Sequence, residues 1–113
     1  MKMEVRFRGL ESSEALREHA VRRADVHLSR FGGELTWVIL RISDINGPKG
    51  GVDKACQVTL RGPRLGSATV EELSADAHSA VDLALELSAA TVGRELERVR
   101  TLRKRGPAPR RKP

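Results

Sequence analysis

Six cations, Arg94, Arg98, Arg100, Arg103, Lys104 and Arg105, crowd a dozen residues near the C-terminus. Guanidinium groups at that density hold phosphate oxygens through paired N–H donors. From Arg94 onward the chain carries nine basic and two acidic residues, so the formal net charge of +6 is +7 at this end and −1 elsewhere. With a pI near 10.4, such an asymmetry is the footprint of a polyanion binder, nucleic acid first among the candidates. Aromatic residues are only 3% of the sequence, which disfavours base stacking and leaves phosphate contact as the mode. The other reactive side chains do not assemble into a catalytic or metal-binding pattern. His19, His27 and His78 include no pair at the i, i+4 spacing by which one helix face grips a metal. Cys56 falls on the inward parity of a strand pattern, where a thiol acts as a small hydrophobe. Gly47, Gly50 and Gly51 lack the Walker spacing, and turn chemistry accounts for them. Asp44 and Asp53 bracket that glycine loop within reach of Lys49 or Lys54, as ion pairs or turn caps. The reading is therefore non-enzymatic, with no cofactor and no metal.

The elements that would position those cations follow from the hydrophobic pattern. Residues 75–105 form the longest stretch without a helix breaker, and Ala77, Ala80, Val81, Ala84, Leu85, Ser88, Val92, Leu96, Val99 and Leu102 lay one stripe along a helix. Such a helix is roughly 45 Å long, so its basic end should project beyond a domain of this size. No Lys or Arg occurs between Arg64 and Arg94. Met3, Val5 and Phe7 alternate with charged residues, the period of a half-buried strand. Ser12 or Ser13 can cap a helix running to about Arg30, with Leu16, Ala20, Ala24, Leu28 and Phe31 inward and Gly32-Gly33 ending it. Arg17, Arg22, Arg23 and Arg30 lie off that stripe, interleaved with Glu14, Glu18 and Asp25 as on an ordinary solvated face. Residues 35–43 place Val38, Leu40 and Ile42 on one parity; residues 55–61 place Cys56, Val58 and Leu60 inward; residues 65–73 read as a weaker fourth strand. Ser74 or Asp76 can cap the long helix. The order β-α-β-β-β-α solves as a two-layer α+β domain, a four-stranded mixed sheet with two helices on one face and the other face open. Residues 1–105 should be this domain and residues 106–113 a disordered basic tail. The outward row Arg6, Arg8, Arg41 and Arg61 offers a second basic patch on the open face, diluted by Glu4 and Glu71. No apolar run approaches the ~18 to 20 residues of a membrane span, and no signal-peptide centre is present, so a cytoplasmic protein is expected.

Three segments carry a resemblance: Ser13-Glu14-Ala15-Leu16-Arg17-Glu18-His19, the loop Asp44-Ile45-Asn46-Gly47-Pro48-Lys49-Gly50-Gly51-Val52-Asp53-Lys54 before Cys56, and Ala80-Val81-Asp82-Leu83-Ala84. In this order they resemble the ribosome hibernation promoting factor and ribosome-associated inhibitor A family, over residues 1 to about 105. The resemblance implies a fold similar to double-stranded-RNA-binding domains. It also implies a partner, the small ribosomal subunit and its rRNA, with translation silenced under stress or in stationary phase. Carried over by position, the RNA-facing residues would be Arg22, Arg23 and Arg30 on the first helix and Arg94, Arg98 and Lys104 on the last. Arg103 and Arg105, with Lys49 and Lys54 at the loop, complete the expected RNA-binding set. Typical members carry lysines in the early half of the last helix, where this chain has Glu86 and none. A short chain of this kind would act as a monomer on single ribosomes. Two alternatives remain open: a general double-stranded-RNA-binding module, and a protein-interaction module using the open sheet face around Trp37 and Ile39.

Overall fold

The computed structural model describes residues 1–45 and 52–104, without the side chains of Arg103 and Lys104. The expectations placed on Lys49, Arg105 and the 106–113 tail, and on the side chains of Arg103 and Lys104, lie outside the described residues. Strand β1 (Lys2–Arg8) is followed by helix α1 (Glu14–Leu28), strands β2 (Trp37–Asp44), β3 (Lys54–Gly62) and β4 (Gly66–Ser74), and helix α2 (Ala77–Lys104). The sheet order is β1-β2-β3-β4, with β1 parallel to β2 and the other pairs antiparallel. The β-α-β-β-β-α architecture is the one the sequence pattern demands. Helix α1 starts where Ser13 Oγ accepts the Leu16 N–H at 3.1 Å, and α2 where Asp76 accepts the Ser79 N–H at 2.9 Å. That hydrogen bond holds the Asp76 carboxyl below its ordinary range. The first helix stops two residues short of Arg30, because a 3₁₀ stretch, Ser29–Glu34, takes over and turns at Gly32 with φ of 53°.

Both helices lie on one face of the sheet. Val38, Leu40 and Ile42 from β2 and Cys56, Val58 and Leu60 from β3 are fully buried beneath them, packed with Leu16, Ala20, Leu28, Val81, Leu85 and Val92. Each such side chain stabilises the fold by about 1.5 to 3 kcal/mol where it is large and wholly buried. The helices run in the same direction: His19 meets Asp82 near their starts, and the Arg30 guanidinium stands 4.0 Å from where a Gly93 Cβ would sit. The tightest backbone approach is at Gly62, where a Cβ would fall 1.7 Å from the Glu34 carbonyl oxygen. Gly66, with φ of 76°, closes the β3–β4 turn in the left-handed conformation that glycine adopts at little cost. The open face is less bare than its name suggests. Ile39, between Glu4 and Thr59 in the register, is only 5% exposed.

Candidate nucleic-acid interface

Among the described residues, Val92 is the last fully buried one in α2. The twelve residues beyond it carry the helix about 18 Å past the core, since each adds 1.5 Å. Leu96 still packs partly on the core, but Leu102 is half exposed. Arg94, Arg98 and Arg100 are solvent-facing. Arg94 bonds the Thr91 hydroxyl at 3.4 Å, Arg98 pairs with Glu95 at 3.0 Å, and Arg100 pairs with Glu97 at 3.3 Å. These i, i+3 pairs support a helix whose tertiary contacts have run out. Arg94, Arg98 and Thr101 line a broad open hollow of about 890 Å³ along the helix flank.

Arg30 joins this end of the molecule from the 3₁₀ stretch that follows α1. Its guanidinium lies over the Phe31 ring at 4.7 Å and beside Gly93, so Arg30 stands at the same end of the helix pair as Arg94 and Arg98. The remaining expected contacts are dispersed. Arg23 points into the groove between the helices, 3.4 Å from Asp82 and 3.2 Å from His27 Nε2. Asp82 also takes His19 Nε2 at 2.8 Å, so one carboxylate clamps α1 to α2 through two cationic or potentially cationic side chains. The Arg23 contact is an ion pair without an aligned hydrogen bond at Nε. Arg22 is exposed on the crest of α1. Lys54 bonds the deeply buried Asp53 at 2.9 Å and lies 3.6 Å from Asp44, and the Asp53 bond holds its ammonium above the ordinary value. It pairs in register with Ser74, just before α2 begins, so it stands at the opposite end of the sheet from the pole. The His19–Asp82 clamp was not foreseeable from spacing, because its partners are 63 residues apart. The His19 and His78 rings approach to 4.7 Å, yet no group of metal-ligating side chains occurs among the described residues. No described helix is long and apolar enough to cross a membrane.

Residues 3–100 match the family model described as sigma 54 modulation protein / S30EA ribosomal protein. The chain belongs to this family. The N-terminal domain of Thermus thermophilus Protein Y is similar in sequence and fold. Identity is 26% and the TM-score 0.67, over 83% of this chain and 98% of that one. A ribosomal subunit interface protein from Coxiella burnetii shares the fold at 16% identity and a TM-score of 0.71, over 86% of this chain and 99% of that one. No curated protein sequence matches the chain. In α2 the Lys and Arg residues all lie beyond Val92, and the first half of the helix is acidic, with Asp82 and Glu86.

Proposed function

We propose that this protein is a non-enzymatic ribosome-associated factor that binds the small ribosomal subunit through rRNA phosphates and inhibits translation by occupancy, as a cytoplasmic hibernation factor. The observation that carries the reading is that α2 carries Arg94, Arg98 and Arg100 exposed beyond Val92, its last fully buried described residue, with Arg30 beside Gly93 at the same end of the helix pair. Family membership and the name of the Coxiella burnetii neighbour, a ribosomal subunit interface protein, support the choice of partner. Arg22 would add a contact from the α1 crest, and Arg103, Lys104 and Arg105 belong to the proposed set by sequence alone. Arg23 would contribute only by exchanging Asp82 for phosphate, and Lys54 only at the cost of leaving buried Asp53 uncompensated.

The test is sedimentation with purified small subunits across a salt series. Binding should weaken linearly in log salt, and replacing Arg30, Arg94 and Arg98 with Gln should flatten the slope by about 2 to 3 units. The fold should scarcely respond, since exposed charges at a helix end contribute less than ~1 kcal/mol. Equal competition by arbitrary duplex RNA would make the protein a general duplex binder instead. An unchanged slope would remove the pole from the contact.

A further inference from the structure

We propose that the open face of the sheet carries a second RNA phosphate site, at the end opposite the helix pole. Registry puts Arg6 directly across from Arg41, with Gln57 and then Glu71 continuing the same row, and Arg8 opposite Ser43 in the next. Arg6, Arg8, Arg41, Ser43, Gln57 and Glu71 line a depression of about 420 Å³. Its cations are poorly neutralised. Arg6 bonds Glu4 at 2.8 Å, but Arg41 reaches only the Thr59 hydroxyl at 3.3 Å, with no carboxylate in ion-pair reach among the described residues. Arg8 is exposed and makes no hydrogen bond or ion pair among them. Like charges placed opposite each other in a sheet repel, and the single Glu4 carboxylate, bonded to Arg6 and within electrostatic reach of Arg41, offsets that only in part. Lys2 and Arg61 continue the charge along the same face, making five cations against the carboxylates of Glu4 and Glu71. Cations two residues apart on a strand repeat every ~6.6 Å, an array suited to a repeating anion rather than a single ion. The guanidinium planes take phosphate oxygens two at a time, and the Ser43 hydroxyl and Gln57 amide can meet sugar hydroxyls. The sheet separates this site from the helices, and it lies at the Arg8 end, away from the pole. One straight strand of RNA cannot touch both, so the protein would join two RNA segments.

The experiment is a titration of isotope-labelled protein with a short oligouridylate, read by amide NMR. Arg8, Arg41, Ser43 and Gln57 should shift, and should still shift in the Arg30→Gln, Arg94→Gln, Arg98→Gln variant. Arg8→Gln with Arg41→Gln should abolish those shifts and lower the log–log salt slope by about 1.4 to 1.8 units, two contacts' worth. Relief of the Arg6–Arg41 repulsion should keep this variant folded, and its remaining amide signals check that. Shifts confined to α2 would overturn the proposal, as would shifts produced by polyglutamate and not by RNA, which would assign the face to an acidic protein. Failure to bind small ribosomal subunits would defeat the reading of the helix pole while leaving the oligouridylate result to decide the sheet face.

Discussion

The pairs Glu95–Arg98 and Glu97–Arg100 set helix stability against phosphate binding, and replacing both glutamates with Gln separates the two. Each arginine is already engaged, so a phosphate contact must first break its ion pair. The four side chains are 40–66% exposed, which places each pair in the surface class of about 0.2 to 1 kcal/mol. Releasing both should strengthen RNA binding by about 0.4 to 2 kcal/mol, or roughly twofold to thirtyfold at 1.4 kcal/mol per decade. Stability should move the other way, since each i, i+3 pair supports the helix by about 0.2 to 0.5 kcal/mol. The melting temperature should fall by no more than about 4 °C. Fluorescence anisotropy with a labelled rRNA helix, at several salt concentrations, measures the affinity. Its salt slope should stay near the wild-type value, because no phosphate contact has been removed. Unchanged or weaker binding would show that Arg98 and Arg100 serve the helix and never turn to phosphate.

Leu40→Ala should cost about 2 to 5 kcal/mol in urea denaturation, and Ile39→Ala less, because Leu40 belongs to the core under both helices while Ile39 meets only the sheet's outer face. The reverse ranking would invert the faces. Gly62→Ala should destabilise by about 3 kcal/mol or more, its methyl colliding with the Glu34 carbonyl, whereas Gly93→Ala should stabilise by about 0.5 to 1 kcal/mol, its Cβ meeting Arg30 at an ordinary 4.0 Å. Thermal melts that rank the two alanines alike would refute both. Burial, then the Glu71 charge, pushes the Cys56 thiol from an ordinary 9.0 to about 12. Below pH 9 both states keep the proton; above it the unfolded chain loses the proton first, so stability should fall as pH rises from about 9 to 12, by up to ~1.4 kcal/mol per unit. In Cys56→Ala that component should vanish, and equal pH slopes in the two proteins would count against the burial cause.

The fold was legible because parity and stripe are local signals that the tertiary structure obeyed. Val38, Leu40 and Ile42 are at 0% exposure, as their spacing required, and Ser13 caps the helix its hydroxyl suggested. What the chain order concealed depends on pairs distant in sequence. Nothing near Gly62 announces the Glu34 carbonyl pressed against it, and nothing near Arg23 shows that Asp82 will claim it. Phe31 packs against the core as the helical period required, though it is carried there by the 3₁₀ turn and left half-buried beneath Arg30. Of the expected RNA contacts, the projecting α2 arginines followed from helix length alone, whereas Arg30's place beside them required the parallel packing of α1.

The strand order bears on the sequence of events while the chain is made. Strands β2, β3 and β4 form a meander of antiparallel neighbours, the last two joined through three residues, and can pair as they emerge. Strand β1 has only β2 to pair with, in parallel, and twenty-eight residues including α1 separate them. The first strand synthesised is thus idle until β2 appears, and loop closure across α1 makes it slow to join even then. In refolding followed by pulsed hydrogen exchange, β3 and β4 amides should gain protection before those of β1. Simultaneous protection of all four strands would mean that the α1 crossover is already in place when the meander forms. Arg30 sits on the β2 side of α1, in the stretch whose Glu34 carbonyl presses on Gly62, so the helix pole can assemble on the meander before β1 docks.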